Sequence, residues 1–349
     1  MADDLAGNGT GRTVTVREIA ARTGVSIATV SRVLNGHANV APHTRALVRN
    51  AADELAATAS GPGLGHGPRK GTTNKAVFVR CPYLLTDYFG LIVSSIAETL
   101  DLHGRPLILN AGEAAQQSPV LRALPDNSDI AGAIVILPPE PGEQLTALRA
   151  QGFPFVVVDP RTAPPRDIAS VSAAHFAGSR SMTGHLVRLG HRRIGVIAGP
   201  DNWLAGEARL AGHASALADV GVLPSPDLVR ATHPTTESGY AAASQLLDLA
   251  DRPTALIGFN DKAAVGALAA ARQRGLRVPD DVSIAGFDDI DLAQATSPML
   301  TTVRQPLAEM GRMAVSLLIR LLDGHQVDAL HVELATDLIV RGSTGPAGS

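Results

Sequence analysis

From Ala76 onward, strand-length apolar runs alternate with helix-length amphipathic stretches, and that alternation permits few folds. The runs are Ala76–Val79, Leu107–Leu109, Ala133–Leu137, Phe155–Val158, Ile194–Ala198, Ala255–Phe259 and Ser283–Phe287. Between them Leu91–His103, Ser179–Leu189, Ser238–Leu249 and Ala263–Gln273 carry helical spacing. Apolar strands interleaved with helices belong to parallel sheets covered on both faces, since a parallel connection needs a crossover long enough to hold a helix. A division near Ser170–Ala174 separates two such sheets and predicts a ligand cleft between them, beyond the carboxyl ends of the strands. No run approaches the ~20 apolar residues of a membrane helix.

The first 75 residues follow another pattern. They carry nine Lys/Arg against five Asp/Glu, whereas the remainder of the chain carries 21 against 28, so a basic module precedes an acidic body. Basic charge confined to a small module points to DNA contact by that module alone. Within it, Val16–Leu34 has helical spacing broken at Gly24, where a turn residue tolerant of positive φ is needed, and Leu47, Val48, Ala51 and Leu55 predict a third helix. Ile19, Val25, Val30 and Leu34 supply a shared core, Ala20 permits close helix approach, and Ser26 can cap the second helix. Ile27, Ala28, Ser31 and Arg32 are left on one exposed face. Such a face suits the major groove, where arginine bonds guanine and methyl-sized groups meet thymine methyls; its ordinary alternative is a solvated helical hairpin.

The single cysteine, Cys81, cannot form an intrachain disulfide or a Cys-based zinc site. With the acidic start Met1-Ala2-Asp3-Asp4, which reads as no secretory signal, it predicts a cytoplasmic protein. Asp159, Asn260, Asp261, Asp288 and Asp289 follow strands, where catalytic groups often sit, yet no Gly-x-Ser-x-Gly, His-Glu-x-x-His or P-loop accompanies them. An enzyme, or a free solute-binding protein, remains the alternative; no cofactor or metal is expected.

Thr23-Gly-Val-Ser-Ile-Ala-Thr-Val-Ser-Arg-Val-Leu-Asn35, followed by Asn39-Val40, Pro42 and Thr44-Arg45, closely resembles the headpiece of the lactose-repressor (LacI/GalR) family of bacterial transcription regulators. The resemblance continues through His185–Pro200, Arg209–Gly212, Phe259-Asn-Asp261, Val278–Asp289 and Leu300–Pro306, so it is colinear over most of the chain. It implies an α/β protein: an all-α helix-turn-helix headpiece plus a periplasmic-binding-protein-like effector domain of two doubly wound parallel-sheet halves. The implied organisation is a disordered tail 1–13, the headpiece 14–58, a linker 59–75, the effector-binding and dimerisation domain 76–342, and a flexible tail 343–349. Its halves would comprise 76–172 plus 303–330 and 175–300 plus 332–342.

The family's function is repression of transcription by a homodimer on a pseudo-palindromic operator, with a small-molecule effector, most often a sugar, changing DNA affinity. By similarity Ile27, Ala28 and Arg32 read bases, while Ser26, Thr29, Ser31, Asn35, Asn39 and Thr44 hold phosphates. Tyr88, Phe89, Trp203, Arg209, Asn260 and Asp288 occupy effector-contact positions; Trp203 either stacks on the ligand or packs. Helices Leu91–His103 and Leu307–Asp323 are expected at the dimer interface. Departures are Ala41 where relatives often have serine, and Ala173-Ala174 where they often have Asp-Asn.

The largest departure is the linker. Relatives carry a hinge helix that wedges leucines into the minor groove. Here the matching stretch is Ala59-Ser-Gly-Pro-Gly-Leu-Gly-His-Gly-Pro-Arg-Lys70, with Leu64 as the one candidate wedge. An interior glycine costs about 1 kcal/mol of helix stability and a proline about 3, so a flexible tether is expected instead of a hinge helix. Circular-permutation assays should therefore show a weak operator bend unchanged by Leu64→Ala; a strong bend lost on that substitution would contradict the tether.

Overall fold

A computed structural model describes residues 16–34, 41, 44, 47, 48, 51, 75–117, 119–325 and 330–348. The chain divides into two units, Met1–Thr72 and Thr73–Ser349. In the first, helices α1 (Val16–Thr23) and α2 (Ile27–Leu34) are joined by a turn in which Gly24 takes φ +70°. A side chain there would be strained, which is why glycine sits at this break. The α2 amino end is capped by Ser26, whose Oγ accepts from Thr29 N at 3.2 Å. Ile19, Val30, Val33, Val48 and Ala51 form the small core, with Ala20 and Val25 packed against it. Val33 was absent from the expected core, and the Leu34 side chain lies outside the described ones. Thr44, Leu47, Val48 and Ala51 are helical, and Ala41 is exposed. Asn35, Asn39 and Leu64, with linker residues 59–74, lie outside the described residues.

The second unit holds two parallel sheets. The first has strands β1 (Ala76–Cys81), β2 (Leu107–Ala111), β3 (Ile130–Ile136), β4 (Phe155–Val158), β5 (Ala169–Ala173) and β11 (His331–Leu334), in the order β11-β5-β4-β3-β1-β2. Period-two alternation sends Val77, Val79, Ile134, Ile136, Val156 and Val158 to one face. That face is covered by α3 (Asp87–Leu102) and α10 (Leu307–Leu322). Phe78, Ala133, Val135, Phe155 and Val157 point to the other face, under α4 (Gly142–Ala150). The central strands are thus buried on both sides, as their unbroken apolar sequences require.

The second sheet, in the order β7-β6-β8-β9, consists of β6 (Ile194–Ala198), β7 (Val229–Ala231), β8 (Ala255–Gly258) and β9 (Ser283–Ala285). Helices α5 (His175–Arg188) and α6 (Leu204–Ala218) cover one side, α7 (Thr236–Leu247) and α8 (Asp261–Gln273) the other. Close helix approach uses glycine: a Cβ on Gly266 would lie 2.2 Å from the Thr236 carbonyl oxygen, and one on Gly212 2.2 Å from that of Phe176. A short helix α9 (Asp291–Gln294) precedes an antiparallel pair, β10 (Thr302–Arg304) with β12 (Asp337–Ile339), packed on α5 through Val303.

Ala169–Ala173 forms β5, a buried strand between β4 and β11, and His175 opens α5 of the other half directly after it. Two details differ from the sequence reading. The later crossings between halves do not fall where expected, because Val303 pairs with Leu338 in the second half whereas Val332 pairs with Val171 in the first. The segment from 343 to 347 is not a loose tail. Ser343 is fully buried, accepts from Thr301 N at 2.8 Å and donates to Ile284 O at 2.5 Å, and Ala347 N bonds Leu189 O at 2.8 Å. Small polar residues can satisfy a sheet edge in this way, but no hydrophobic pattern announces it.

Candidate functional site

The loops that follow β1, β2, β3, β4, β6, β7, β8 and β9 enclose a cleft of about 800 Å³ between the two sheets. Tyr88, Phe89, Trp203, Arg209, Asn260 and Asp288 all line it. Tyr88 and Phe89 lie in the first turn of α3, Trp203 is the residue before α6, and Arg209 is one and a half turns into that helix. Asn260 caps α8: its Oδ1 accepts from Ala263 N at 2.9 Å, and its Nδ2 donates to Pro234 O at 3.2 Å. Part of its hydrogen-bonding capacity is therefore spent on the fold.

Asp159 and His175 join the halves. Asp159 closes β4 in a left-handed conformation, φ +50°, that aspartate tolerates better than most residues. Its Oδ2 accepts from Tyr88 Oη at 2.9 Å, and its Oδ1 lies 2.8 Å from His175 Nε2, at the start of α5 in the other half. His175 Nδ1 in turn faces an Arg209 nitrogen at 3.3 Å. Arginine only donates, so in the tautomer with its hydrogen on Nε2, directed at Asp159, Nδ1 is available to accept from Arg209. Burial alone would raise the Asp159 carboxyl; the contacts to His175 and Tyr88, with the nearby Arg209 charge, hold it below its ordinary value. Burial, with the adjacent Asp159 and Asp288 charges, pushes the Tyr88 phenol well up.

The Arg209 guanidinium is stacked 3.7 Å from the Phe287 ring centroid and 4.4 Å from that of Phe259, and it donates to the Phe259 carbonyl. Rings on this cation restrict its orientation while its edge stays available for hydrogen bonds. Asp288 Oδ1 is 4.0 Å away and accepts from Gln305 Nε2 at 2.6 Å. Burial outweighs Arg209 and Gln305 and pushes the Asp288 carboxyl up to about 7. Its neighbour Asp289 points away to Arg304 and Arg341, at 2.7 and 2.6 Å. Asp261, buried beneath, accepts from Thr302 Oγ1 at 2.6 Å and is raised well above the ordinary value by burial and by Asp288.

Aromatic rings close the sides. Tyr83 stacks on Phe89 at 4.6 Å, Tyr88 meets Phe89 edge-on at 5.1 Å, and Trp203 meets Phe259 edge-on at 6.0 Å. Trp203 both lines the cleft and packs against the core of the first half. The sequence reading of this cleft missed Tyr83, Arg161, His175, Lys262 and Gln305, and took Asp159 only as a carboxylate after a strand. That position, directly after Phe155–Val158, was the one available signal. The alanines at 173 and 174 are buried and bring no polar group.

In the first unit α2 presents Ile27, which is 52% exposed, beside the exposed Ser26 and the half-buried Thr29 and Ser31. Ser26 Oγ is 2.9 Å from Thr29 Oγ1. Ala28 and Arg32 belong to the same helix, but their side chains lie outside the described ones; Thr44 is helical and half-buried.

Comparisons with known proteins agree over both units. Residues 15–57 match the profile of bacterial regulatory proteins of the lacI family, and residues 183–344 that of a periplasmic binding protein-like domain. The chain is 32% identical over 339 residues to the HTH-type transcriptional repressor CytR of Escherichia coli (strain K12), covering 95% of this chain and 96% of that protein. It is 31% identical to the HTH-type transcriptional regulator CelR of Thermobifida fusca, covering 95% and 98%. Among solved structures, a CelR–cellobiose complex superposes with a TM-score of 0.72 at 30% identity, covering 95% of this chain and all of that one. The Lac repressor bound to ONPG superposes with a TM-score of 0.68 at 28% identity over 95% of this chain.

The raised Asp288 carboxyl has a stability consequence. A folded-state pKa above the unfolded value makes a contribution that is full below about pH 4 and is lost as the pH rises through about 7. His213, held down to about 4 by burial, works in the opposite sense, and a difference between variants cancels it, leaving Asp288 together with Asp261, which the Asp288 charge raises. Asp288→Asn should gain about 1–3 kcal/mol relative to the parent chain between pH 5 and pH 8, read by denaturant unfolding at each pH. A gap independent of pH would contradict the assignment.

Proposed function

The chain belongs to the LacI family and is a DNA-binding transcriptional repressor, and from that premise we propose that a small polar effector, a sugar or sugar derivative, binds in the cleft and changes operator affinity. The observation that supports this most is the meeting of Asp159, His175, Arg209 and Asp288 in one aromatic-walled cleft. Buried acceptors beside a fixed guanidinium match a polyhydroxylated ligand, and rings match its apolar faces. Because the lining comes from both halves, a ligand that bridges them favours one arrangement of the halves over another, which is the requirement for coupling to a distant site.

On the DNA side the proposal gives base reading to Ile27, Ala28 and Arg32 and phosphate contact to Ser26, Thr29, Ser31, Asn35, Asn39 and Thr44. One headpiece spans few base pairs, so the working form is a homodimer on a pseudo-palindrome. Exposed Leu91 and Leu102 on α3, with Ile108 and Leu109 on the edge strand β2, support a subunit interface there. The apolar face of α10 is spent on its own sheet, through Met310, Ala314, Val315 and Leu318. The function proposed is regulatory and not catalytic, in keeping with relatives that are transcription regulators.

The test combines a metabolite panel read by thermal shift with gel retardation on DNA upstream of the encoding gene. A compound that raises the melting temperature should change operator affinity by at least about fivefold, the lower range of allosteric couplings. Arg209→Ala, and the milder Asp288→Asn, should lose that response. A compound that stabilises the protein through the cleft and leaves operator affinity unchanged would refute the coupling.

A further inference from the structure

Two cations in the cleft have no carboxylate partner. Arg161 follows β4 and Lys262 lies in the first turn of α8, and among the described residues neither is within 4.0 Å of an acidic oxygen, whereas Arg209 has Asp288 at that distance. The Arg161 guanidinium is aimed by two contacts: it donates to Tyr83 Oη, and its Cζ lies 5.4 Å from the Trp203 ring centroid. Tyr83 is itself fixed, donating to Leu137 O at 3.0 Å and stacking on Phe89. The Arg161 backbone is pinned as well, its carbonyl accepting from Leu204 N at 2.8 Å. Arg161 Nε is nonetheless buried without a hydrogen-bond partner. Lys262 Nζ donates to Thr86 Oγ1 at 3.2 Å, three residues along the loop from Tyr83.

Taking the cleft as the effector site proposed above, we infer that its ligand carries an anionic group, a phosphate or a carboxylate, received by Arg161 with Lys262 beside it. An arginine held rigid by an aromatic face and a phenol is prepared for bidentate recognition of an oxyanion, and lysine adds a point charge. A neutral polyol would leave Arg161 without an ion-pair partner and Lys262 with only the more distant charge of Asp288. Among the described residues the cleft's own acids form no ion pair with either cation, although Asp288 feels the Lys262 charge at longer range. Asp159 is engaged by His175 and Tyr88, and Asp288 by Gln305 and Arg209. Glu113 and Glu237 are exposed, where water screens their charge.

Trp203 is the only tryptophan in the chain and touches this arginine, so its fluorescence reads the site directly. The probes are inorganic phosphate and the matched series glucose, glucose 6-phosphate and glucuronate, titrated into the full-length protein and into Arg161→Gln and Arg161→Lys. Millimolar phosphate should shift the emission of the parent chain but not that of Arg161→Gln. At least one anionic sugar should bind about tenfold or more tightly than glucose, the phosphate and carboxylate arms showing which oxyanion fits. Arg161→Gln should abolish that preference and Arg161→Lys should keep part of it. Neutral and anionic members weakened equally by Arg161→Gln would assign Arg161 a structural role and overturn the inference while leaving the cleft as the effector site. Anion binding unchanged in Arg161→Gln would also overturn it. Silence toward phosphate and all three sugars would overturn it too; a neutral effector then found by the thermal-shift panel would show that the cleft reading survives.

Discussion

The contact on which the second unit depends is the one between Asp159 and His175, a carboxylate at the end of one sheet and an imidazole at the start of the first helix of the other half, 2.8 Å apart and both buried. It is the centre of a polar chain that runs from Tyr88 through Asp159, His175 and Arg209 to Asp288 and Gln305. Polar groups this deep are costly unless each finds a partner. The two halves supply those partners to one another, so separating them would strand a carboxylate on one side and an imidazole on the other. Hydrophobic packing builds each half; this chain governs how the halves meet.

Its placement follows from topology. Parallel strands deliver all their carboxyl ends to one edge, and the residues just beyond are where the backbone can leave strand geometry. Leu137, Asp159 and Asp288 all do so with positive φ, at 42°, 50° and 119°. Such conformations cost of order 1–3 kcal/mol each for residues other than glycine and persist where surrounding contacts hold them. Asp288 is held by its own amide on Val303 O at 2.8 Å and by Gln305, both on the connection that returns the chain to the first half. A ligand contacting Asp288 therefore touches a residue tied to a crossing strand, a route from cleft to inter-half geometry built from ordinary hydrogen bonds.

Much of this was legible in the sequence, for stated physical reasons. Buried parallel strands must be continuously apolar, so Phe155–Val158 and Ile194–Ala198 declared themselves, and Gly24 and Ser26 marked a turn and a cap through their own chemistry. Short edge strands such as Val229–Ala231 and His331–Leu334 did not, because they are half exposed and carry no run of apolar residues. The six cleft residues taken from family resemblance do line one cavity. His175, Tyr83 and Arg161 escaped notice because a histidine, a tyrosine or an arginine in a helix start or loop has no local signature. Their importance lies in what tertiary structure places opposite them. The ordered 343–347 segment was missed for the same reason, being a run of small residues, Ser-Thr-Gly-Pro-Ala, that reads as tail until the open sheet edge beside it is known.

A double-mutant cycle between Asp159 and His175 tests the central claim most directly. Unfolding free energies are compared for the parent chain, Asp159→Asn, His175→Gln and the double variant. If the pair joins the halves, each single change strands its partner and the double variant costs much less than the sum, with a coupling of about 1–3 kcal/mol. Additive losses within about 0.5 kcal/mol would mean that the contact is incidental and that something else holds the two halves together.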